Sequence, residues 1–295
     1  MLSWNGRDDT LGCVGSLVNG SPEVTVLVVD NGSSDGTLEA VRSAWPSVST
    51  LQTGTNLGFS GGMNRGIRWA LDRGASCVTV LNNDTVIPEG AMRALREAAA
   101  RGLAVSPEVM YRDSPHEIWF GEGVIDRELG FPHHVAPVNL GSCQAGLRPS
   151  AVLSGCCVTA SAAVWRHVGL FDERFFLDFE DSEWSVRAVA RGVGLAVVCD
   201  VRILHAVSAS FRGAAAPLGT FYYVRNGLLF NRLIGGNIPS RWRFLRRRGV
   251  SGLRDRSGRD RIRMAAVIGW AVAAYLARSF GPAPRSLQRM AARWG

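Results

Sequence analysis

The stretch that decides the fold is VTVLVVDNGSSDGT, at residues 24–37. It begins with an unbroken aliphatic run, which is typical of a strand buried on both faces of a parallel sheet. A turn-rich polar segment ends the run, and a helical pattern follows at residues 38–44. The stretch therefore predicts a strand, a polar loop at the carboxyl end of that strand, and a helix.

Two further units of this kind follow along the chain. Residues 48–52 predict a short strand, residues 56–64 predict a loop, and an amphipathic helix comes next. The strand predicted at Cys77–Leu81 stops at a polar segment, and Pro88 suits a helix start. This alternation predicts an α/β domain with a mainly parallel sheet and helices on both faces. Ligands of such sheets collect at the carboxyl ends of the strands, so the polar segments are expected to line one crevice.

The rest of the chain is less uniform. Residues 109–149 show no period and are expected to cross one side of the crevice as an irregular excursion. Beyond them, regular patterns predict strands at 151–159 and 195–198 and helices at 162–168, 181–190 and 222–233. Residues 234–295 are expected to form an arginine-rich helical tail.

Charge is distributed unevenly along the 295 residues. All 33 basic residues are arginine, the acids number 25, and the formal net charge is +8. Fourteen of the arginines but only two of the acids lie in residues 241–295, so the body is mildly acidic and the tail strongly basic. Such a tail favours a local attachment surface, for example anionic lipid, over a nucleic-acid partner.

Within the tail, an uncharged apolar run of fourteen residues lies between Arg263 and Arg278. A membrane span needs about 20 residues, so this run is too short to cross a bilayer. Two interpretations remain open. The run is either a helix on an anionic membrane surface, with Trp270 and Tyr275 at the interface, or a helix packed on the preceding domain. Few aromatic residues interleave with the arginines, which disfavours nucleic-acid binding.

The six cysteines are too few and too scattered for a disulfide scaffold, and none forms a CxxC pair. Buried free thiols in a reducing cytosol are therefore expected. The first residues do not have the pattern of a secretory signal. The sequence predicts a cytoplasmic protein whose tail allows peripheral attachment to the inner face of the plasma membrane.

The first two polar segments each have a structural and a functional interpretation. The segment that starts at Asp30 is an ordinary turn and N-cap, or it is a nucleotide pocket in which Asp30 accepts from a base N–H. Gly61 and Gly62 suit a close approach of the backbone to a diphosphate, next to the free N–H groups of a helix N-terminus. This loop lacks both the GxGxxG and the P-loop spacing, so those two nucleotide-binding classes lose support.

The later segments are equally open when each is taken alone. Residues 82–84 form either an Asx turn or a site where oxygen ligands hold Mg²⁺ or Mn²⁺. Residues 178–184 place four acids beside aromatic residues, as in a solvated helix start or around a general base in an apolar rim. His205, taken singly, is most simply a core histidine.

In their order along the chain, these segments resemble the family 2 glycosyltransferases of the GT-A fold, especially the bacterial rhamnosyltransferase-like branch. The matching segments are VVDNGSSDGT, NLGFSGGMNRG, LNNDT, GLFDERFFLDFEDSEWSVRA, ILHAVSAS and YYVRN. Single segments are weak signals, but six in register are a strong one. The resemblance covers about residues 2–233, which implies a GT-A domain at 1–233 followed by the tail at 234–295.

The resemblance implies roles for individual residues. Asp30 would contact the nucleotide base, and the loop around Gly61 would face the donor diphosphate. The implied donor-binding residues are Asp30, Asn31, Ser33, Asn56, Gly61, Gly62, Asn64, Arg65, Asn82 and Asn83. Asp84 would bind the divalent cation, Mg²⁺ or Mn²⁺, with His205 as a further ligand. Asp181 would be the catalytic base, and Glu180 would help to hold the acceptor.

The activity implied by the resemblance is an inverting transfer, in a single displacement, of a sugar from a nucleoside diphosphate. The donor would be a dTDP- or UDP-sugar, with dTDP-rhamnose favoured. The acceptor would be a glycan or a polyprenyl-linked sugar in cell-envelope polysaccharide synthesis. Two alternatives are kept: a catalytically weak module of the same fold that only binds a nucleotide sugar, and, ranked lower, a nucleic-acid binder acting through the tail.

The sequence departs from the family pattern in two places. Asn82 replaces the first aspartate of the family's DxD motif, and its amide supplies only a neutral oxygen. A lower metal affinity is therefore expected, with the ion arriving on the nucleotide sugar. Only Met1, Leu2 and Ser3 stand where the family has a full first strand, so the natural start is expected to lie upstream.

Overall fold

A computed structural model describes residues 1–207, 216–254 and 256–293 of the protein. The strands in chain order are β1 (Leu2–Ser3), β2 (Leu27–Asp30), β3 (Ser49–Gln52), β4 (Cys77–Leu81), β5 (Thr85–Val86), β6 (Ala104–Tyr111), β7 (Ile118–Phe120), β8 (Gly123–Asp126), β9 (Phe131–His134), β10 (Leu147–Pro149), β11 (Cys157–Ser161) and β12 (Leu195–His205). The helices are α1 (Arg7–Gly20), α2 (Thr37–Ala44), α3 (Gly58–Asp72), α4 (Ala91–Ala99), α5 (Ala162–Val168), α6 (Glu180–Ala190), α7 (Ala216–Leu233), α8 (Ile238–Phe244), α9 (Gly258–Leu276) and α10 (Arg285–Ala291).

The half of the sheet that carries the first polar segments is parallel, as the sequence predicts. β2 lies between β1 and β3, and all three strands run parallel. Leu2 also forms a parallel bridge to Asn82, directly after β4. The other half is mixed, because β11 is antiparallel to both β4 and β6, whereas β6 and β12 are parallel. The carboxyl ends of β1, β2 and β4 therefore meet at one edge.

Helices cover both faces of this sheet. The aliphatic side chains of β4 alternate, so that Val78 and Val80 pack with α3, α5 and α6. Leu81 and the inward side chains of β6 pack on the opposite face with α1 and α4. The period of two along a strand produces this division into two cores.

Residues 109–149 are more regular than the sequence predicts, and this prediction was wrong. They contain the end of β6, the short strand β7 beside it, the hairpin β8–β9, and β10 at the edge of β12. Strands of three or four residues containing proline and histidine carry no detectable period, so their pairing is set by tertiary contacts.

The strand predicted at 195–198 continues to His205 in β12. A bulge between Val198 and Arg202 interrupts its pairing with β6, opposite Pro107. Proline has no N–H to donate to the ladder, which accounts for the interruption at this position. The bulge brings His205 to the crevice edge in the same register as Tyr111.

The expectation that all cysteines are free thiols was wrong. Cys143 and Cys199 form a disulfide, and the other four cysteines are free. The excursion that was expected to be irregular instead pairs with β12 through β10, and the N–H of Cys199 donates to the carbonyl of Gly146. This pairing places the two thiols together although 56 residues separate them, so their spacing in the sequence gave no signal.

The tail packs on the domain through α9. One face of α9 contacts α7 in a hydrophobic cluster, with Met264, Val267 and Ala271 fully buried. The opposite face is exposed and carries Ile262, Trp270 and Leu276. Of the two open interpretations, packing on the domain is confirmed for the inner face only. In the described ranges, no helix is both long enough and apolar enough to cross a membrane.

Candidate active site

Asp84 and His205 are brought together by strand pairing. β5 is antiparallel to the end of β12, with His205 opposite Thr85, and the N–H of Ala206 donates to the carbonyl of Asp84. Nε2 of His205 lies 3.1 Å from Oδ1 of Asp84. That oxygen is buried and has no hydrogen-bond partner. A carboxylate oxygen and an imidazole nitrogen side by side, without a hydrogen bond between them, are placed as two ligands of one cation would be.

Asn82 lies at the same end of β4. Its Nδ2 is 3.4 Å from Nε2 of His205, so its side chain borders the pair. Asn83 turns away, because its Nδ2 donates to Oγ1 of Thr10 at 2.9 Å and so anchors α1. In the part of the chain that the structure describes, no three His, Cys, Asp or Glu side chains are grouped to hold a metal. The chain therefore offers Asp84 and His205, with the neutral oxygen of Asn82 nearby, and a bound molecule would have to supply the remaining ligands.

The residues predicted to bind the donor form two groups: Asp30 and Ser33 at the carboxyl end of β2, and Asn31 and Asn56 next to the start of α3. Asp30 is 1% exposed, and both of its carboxylate oxygens lie 3.3 Å from the N–H of Ser33. Oγ of Ser33 accepts from the N–H of Asn5. Since Ser3 pairs with Asp30 and Leu2 bridges to the residue after β4, Asp30 and Asn82 lie on either side of β1. Asp30 and Ser33 thus form a polar floor at the carboxyl end of β2.

Asn31 and Asn56, the second group, are hydrogen-bonded to each other. Oδ1 of Asn31 accepts from the N–H of Leu57, and its Nδ2 donates to Oδ1 of Asn56 and to the carbonyl of Gly58. Asn56 in turn accepts from the N–H of Gly58 at 2.8 Å. The amide of Asn31 and Oδ1 of Asn56 are therefore occupied in holding the start of α3.

The expectation of a loop at residues 56–64 was wrong, because α3 already begins at Gly58. Gly58 has a φ of 74°, and a Cβ there would lie 2.2 Å from the carbonyl oxygen of Phe176. That carbonyl accepts from the N–H of Phe59. At Gly62, a Cβ would lie 2.3 Å from Cδ1 of Leu2. These glycines admit neighbouring protein atoms, and the N–H groups of residues 57–59 are used within the protein instead of facing outward.

Asn64 and Arg65 differ sharply in accessibility. Asn64 is 1% exposed and clamps Phe171, accepting from its N–H and donating to its carbonyl. Arg65 is exposed, and in the described ranges it makes no ion pair. Of the two, only Arg65 has a side chain that is available to a ligand.

The start of α6 presents the two acids at the other side of the crevice. Asp178 and Phe179 have φ values of 67° and 74°, a left-handed conformation that is costly for residues other than glycine. Nδ2 of Asn226 on α7 donates to the carbonyl of Leu177 at 2.6 Å and so holds this turn. Glu180 and Asp181 follow as the first two residues of α6.

The carboxylate of Asp181 is fixed by backbone donors. Oδ2 accepts from the N–H of Gly155 at 2.7 Å, and Oδ1 accepts from the N–H of Ser182 at 2.6 Å. A Cβ at Gly155 would lie 3.1 Å from Oδ2, so the glycine allows the close approach. The next carbonyl, of Cys156, accepts from the N–H of Asn82. Two consecutive residues therefore join Asp181 to the end of β4.

The carboxyl groups around Asp181 titrate abnormally. Burial raises the pKa of Asp178 to about 7, and the charge of Asp181 adds to this effect. Burial, together with Asp181 and Asp178, raises the pKa of Glu180 well above its ordinary value. Oε2 of Glu180 is buried and has no hydrogen-bond partner. Perturbed carboxyl groups of this kind cluster at catalytic sites.

A pocket of about 270 Å³ opens directly in front of these acids. It is lined by Trp119, Phe120, Phe131, Pro132, His133, His134, Val152, Leu153, Ser154, Asp178, Phe179, Glu180, Asp181, Ser182 and Tyr223. The ring of Trp119 lies 5.0 Å from that of His205 and 4.8 Å from that of His134. Trp119 therefore packs against His205 and also lines the pocket. A larger cavity, of about 510 Å³, lies at the amino ends of β2 and β4, away from these groups.

Sequence reasoning missed several residues of this site. Trp119 and His134 lie in the stretch without a period, which gave no signal for them. Gly155 carries no motif. Asn226 lies in the quoted YYVRN segment, so a role for it in holding the acidic segment was detectable in principle. The structure places His205 beside Asp84 and links Asp181 to the end of β4, and the roles that the resemblance implies for these residues stay predictions.

This arrangement of sheet, helices and crevice is the GT-A fold of sugar-nucleotide-dependent glycosyltransferases. The mannosyltransferase PcManGT from Pyrobaculum calidifontis, solved with GDP-Man and Mn²⁺, aligns with a TM-score of 0.55 at 16% identity and covers 94% of this chain and 73% of that one. The family described as Glycosyl transferase family 2 matches residues 1–138.

Two relatives are similar in sequence over a longer stretch. The N-acetylglucosaminyl-diphospho-decaprenol L-rhamnosyltransferase of Mycobacterium tuberculosis is 32% identical over 207 residues, covering 62% of this chain and 66% of that protein. The dTDP-rhamnosyl transferase RfbF of Shigella flexneri is 25% identical over 222 residues, covering 70% of each chain. The chain therefore has the GT-A fold and is similar in sequence to family 2 glycosyltransferases of the rhamnosyltransferase-like kind. It spans slightly less than two thirds of the mycobacterial relative's length.

Proposed function

We propose that this protein transfers a sugar from a nucleoside diphosphate to a hydroxyl group of a glycan or lipid-linked acceptor, with inversion at the anomeric carbon. The observation that carries the proposal is the hydrogen-bonded link between the two sides of the crevice. Asn82 beside His205 donates to Cys156, and the preceding residue, Gly155, donates to Asp181. One short segment thus sets the spacing between the Asp84–His205 pair and the carboxylate.

In this proposal Asp181 is the base. The acceptor oxygen forms a bond to the anomeric carbon while the bond from that carbon to the diphosphate oxygen breaks, and the diphosphate leaves with the electron pair. Asp181 takes the proton from the acceptor hydroxyl. Its hydrogen bonds to Gly155 and Ser182 fix the carboxylate before the acceptor arrives, which supports efficient proton transfer. Glu180 would border the acceptor, because both acids line the same pocket.

Asp84 and His205 would hold Mg²⁺ or Mn²⁺ together with the donor. Oδ1 of Asp84 is buried, accepts no hydrogen bond and lies 3.1 Å from Nε2 of His205, which supports this assignment. When bound, the ion would supply positive charge that stabilises the departing diphosphate. Asn82 gives at most a neutral oxygen, which supports an ion that arrives with the nucleotide sugar.

For the donor we propose a dTDP- or UDP-sugar, with dTDP-rhamnose first. The names of the mycobacterial and Shigella relatives support rhamnose as the sugar. Asp30 and Ser33 would receive the base, and Arg65 would face the diphosphate from α3. Asn31 and Asn64 would act indirectly, because their amides are engaged in hydrogen bonds within the protein, and Asn56 would do so through its Oδ1.

For the acceptor we propose a polyprenyl-linked sugar at an anionic membrane surface, as part of cell-envelope polysaccharide synthesis on the cytoplasmic side. The mycobacterial relative's name contains a diphospho-decaprenol acceptor, which supports this class. The exposed apolar face of α9 and the arginines of residues 241–295 support peripheral attachment.

A screen of nucleotide sugars tests the activity. The full chain is incubated with dTDP-, UDP- and GDP-sugars and a polyprenyl-diphosphate sugar, with Mn²⁺ and with a chelator, and the product is detected by mass spectrometry. We expect product with dTDP-rhamnose and Mn²⁺ and its loss with the chelator. Donor binding without transfer to any acceptor would instead support the alternative of a nucleotide-sugar-binding module.

A further inference from the structure

The pocket in front of Asp181 has a marked chemical character. Five Phe, Tyr or Trp side chains line it, three of its other lining residues are acids, and no arginine among the described residues lines it. Aromatic faces suit the apolar faces of a sugar ring, and buried acids disfavour an anionic ligand. The pocket is therefore suited to a neutral sugar ring and not to a uronic acid or a phosphate.

An arginine side chain, Arg248, lies at the edge of this pocket. The guanidinium of Arg248 lies 5.3 Å from the centre of the Phe131 ring, and Phe131 lines the pocket. Arg248 also acts electrostatically on Tyr223, another lining residue. Its side chain is exposed, and within the described ranges no carboxylate forms an ion pair with it. Its neighbours Arg246 and Arg247 are exposed as well.

We propose that Arg248 binds the phosphate through which the acceptor sugar is attached to its lipid, while the sugar itself, which is neutral, occupies the aromatic pocket in front of Asp181. This inference rests on the proposed function and deepens it, because it defines the acceptor as a neutral sugar with a phosphate on the side away from the reacting hydroxyl. A guanidinium that forms no ion pair, next to a pocket without arginine, can discriminate such an acceptor from a plain glycoside. Arg246 and Arg247 extend the same positive surface.

A binding experiment without donor tests this assignment. The probes are N-acetylglucosaminyl-diphospho-citronellol and citronellyl N-acetylglucosaminide, which differ only in the diphosphate, and calorimetry on the full chain gives both dissociation constants. We expect the wild type to prefer the diphosphate probe by about tenfold or more, as for a hydrogen bond to a charged group. Arg248→Gln is expected to remove most of that preference and Arg248→Lys to keep part of it. Arg285→Gln, which changes an exposed arginine on α10, is expected to leave it unchanged.

Several outcomes would overturn the assignment. They are an unchanged preference in Arg248→Gln, an equal weakening of both probes, and a wild type that binds neither probe. A membrane headgroup is the other source of phosphate, so flotation with phosphatidylglycerol vesicles is run on the same variants. A loss of flotation in Arg248→Gln, with the probe preference kept, would assign Arg248 to the bilayer instead. Because no donor is present, a failure of sugar transfer would reject the proposed function without affecting this result.

Discussion

At the scale of single residues, the position of the Asp181 carboxylate depends on the glycine that faces it, Gly155. Gly155 has no side chain, so its N–H can reach Oδ2 of Asp181 at 2.7 Å. The carboxylate is thereby oriented by backbone, which holds its geometry more rigidly than a flexible side chain would. The neighbouring carboxyls of Asp178 and Glu180 have raised pKa values because they are buried close to one another.

Gly155→Ala is expected to lower kcat for sugar transfer by about threefold to tenfold, because the carboxylate would move by a few tenths of an ångström and a full 1 Å displacement costs about a hundredfold. The added Cβ would lie 3.1 Å from Oδ2 of Asp181, so the carboxylate must move. Steady-state kinetics measure the effect, and the donor KM is expected to stay unchanged. Gly12→Ala in α1, where a Cβ meets nothing within 4 Å, is the matched control. It should keep full activity, and an equal loss in both variants would refute the positioning role of Gly155.

Asp178 is expected to make stability depend on pH. Its pKa of about 7 in the folded protein lies above the ordinary value of about 3.9. The folded state therefore binds more protons than the unfolded state between these values. The resulting stabilisation is complete below about pH 4 and is lost as the pH rises towards about 7. Thermal unfolding of Asp178→Asn should show a smaller fall in Tm from pH 5 to pH 8 than the wild type. The exposed Asp72→Asn should behave like the wild type, and identical slopes in all three proteins would contradict the account.

At the scale of elements, Glu180 and Asp181 follow a strained turn at residues 178–179, which needs contacts from another helix to keep its conformation. Two successive residues with positive φ cost about 1–3 kcal/mol each and persist only where neighbours hold them. Asn226 on α7 supplies that hold through the carbonyl of Leu177. A helix that belongs to the C-terminal part of the fold thus determines where α6 begins.

Asn226→Ala should therefore reduce kcat by at least tenfold while donor binding is retained. The reason is that the turn before α6 would relax and shift Asp181, whereas the Asp84–His205 pair stays in place. Transfer rates and donor titrations measure the two effects. Ser161→Ala, which removes the N-cap of α5, is the control, since a lost cap costs about 1 kcal/mol of stability without touching the pocket. A comparable fall in kcat in that control would show that stability alone is responsible.

Element prediction succeeded where local pattern and tertiary structure agree. Cys77–Leu81 and Ala162–Val168 were predicted with the bounds that they have, because burial on a defined face imposes a clear period. It failed where long-range contacts decide. α3 begins early because Gly58 docks on Phe176, and the Cys143–Cys199 disulfide follows from strand pairing that no local pattern reports. The acids and the His205 position were predictable by resemblance, but Trp119 and Gly155 were not, because each acts through a neighbour distant in sequence.

At the scale of the whole molecule, charge and exposed apolar surface lie on the same part of the chain. In our proposal, residues 1–240 bind the anionic donor at the carboxyl ends of the strands and through Asp84 and His205. The surplus arginines lie beyond it, at residues 241–295. In our proposal these arginines serve an acceptor anchored in an anionic membrane and not a nucleic-acid partner.

The outer face of α9 is the testable part of that explanation. Ile262 and Leu276 are each 72% exposed, so replacing both with serine should leave Tm nearly unchanged. The partition coefficient onto vesicles containing phosphatidylglycerol, measured by flotation, should fall by about a hundredfold or more, because about 1.5–3 kcal/mol of burial would be lost for each of the two aliphatic side chains. Val138→Ser, at a side chain 91% exposed and outside the tail, is the control. Equal flotation of all three proteins would exclude α9 as the membrane contact.

The central claim is that Asp181 acts on the acceptor whereas Asp84 and His205 act on the donor. Its most direct test is to measure the donor dissociation constant and the transfer rate together, with Mn²⁺, for Asp181→Asn and His205→Ala. We expect Asp181→Asn to bind dTDP-rhamnose like the wild type and to transfer it at least a hundredfold more slowly, as for loss of a general base. His205→Ala should lose donor affinity in Mn²⁺ and differ little from the wild type without it. An Asp181→Asn variant that transfers sugar at the wild-type rate would contradict the account.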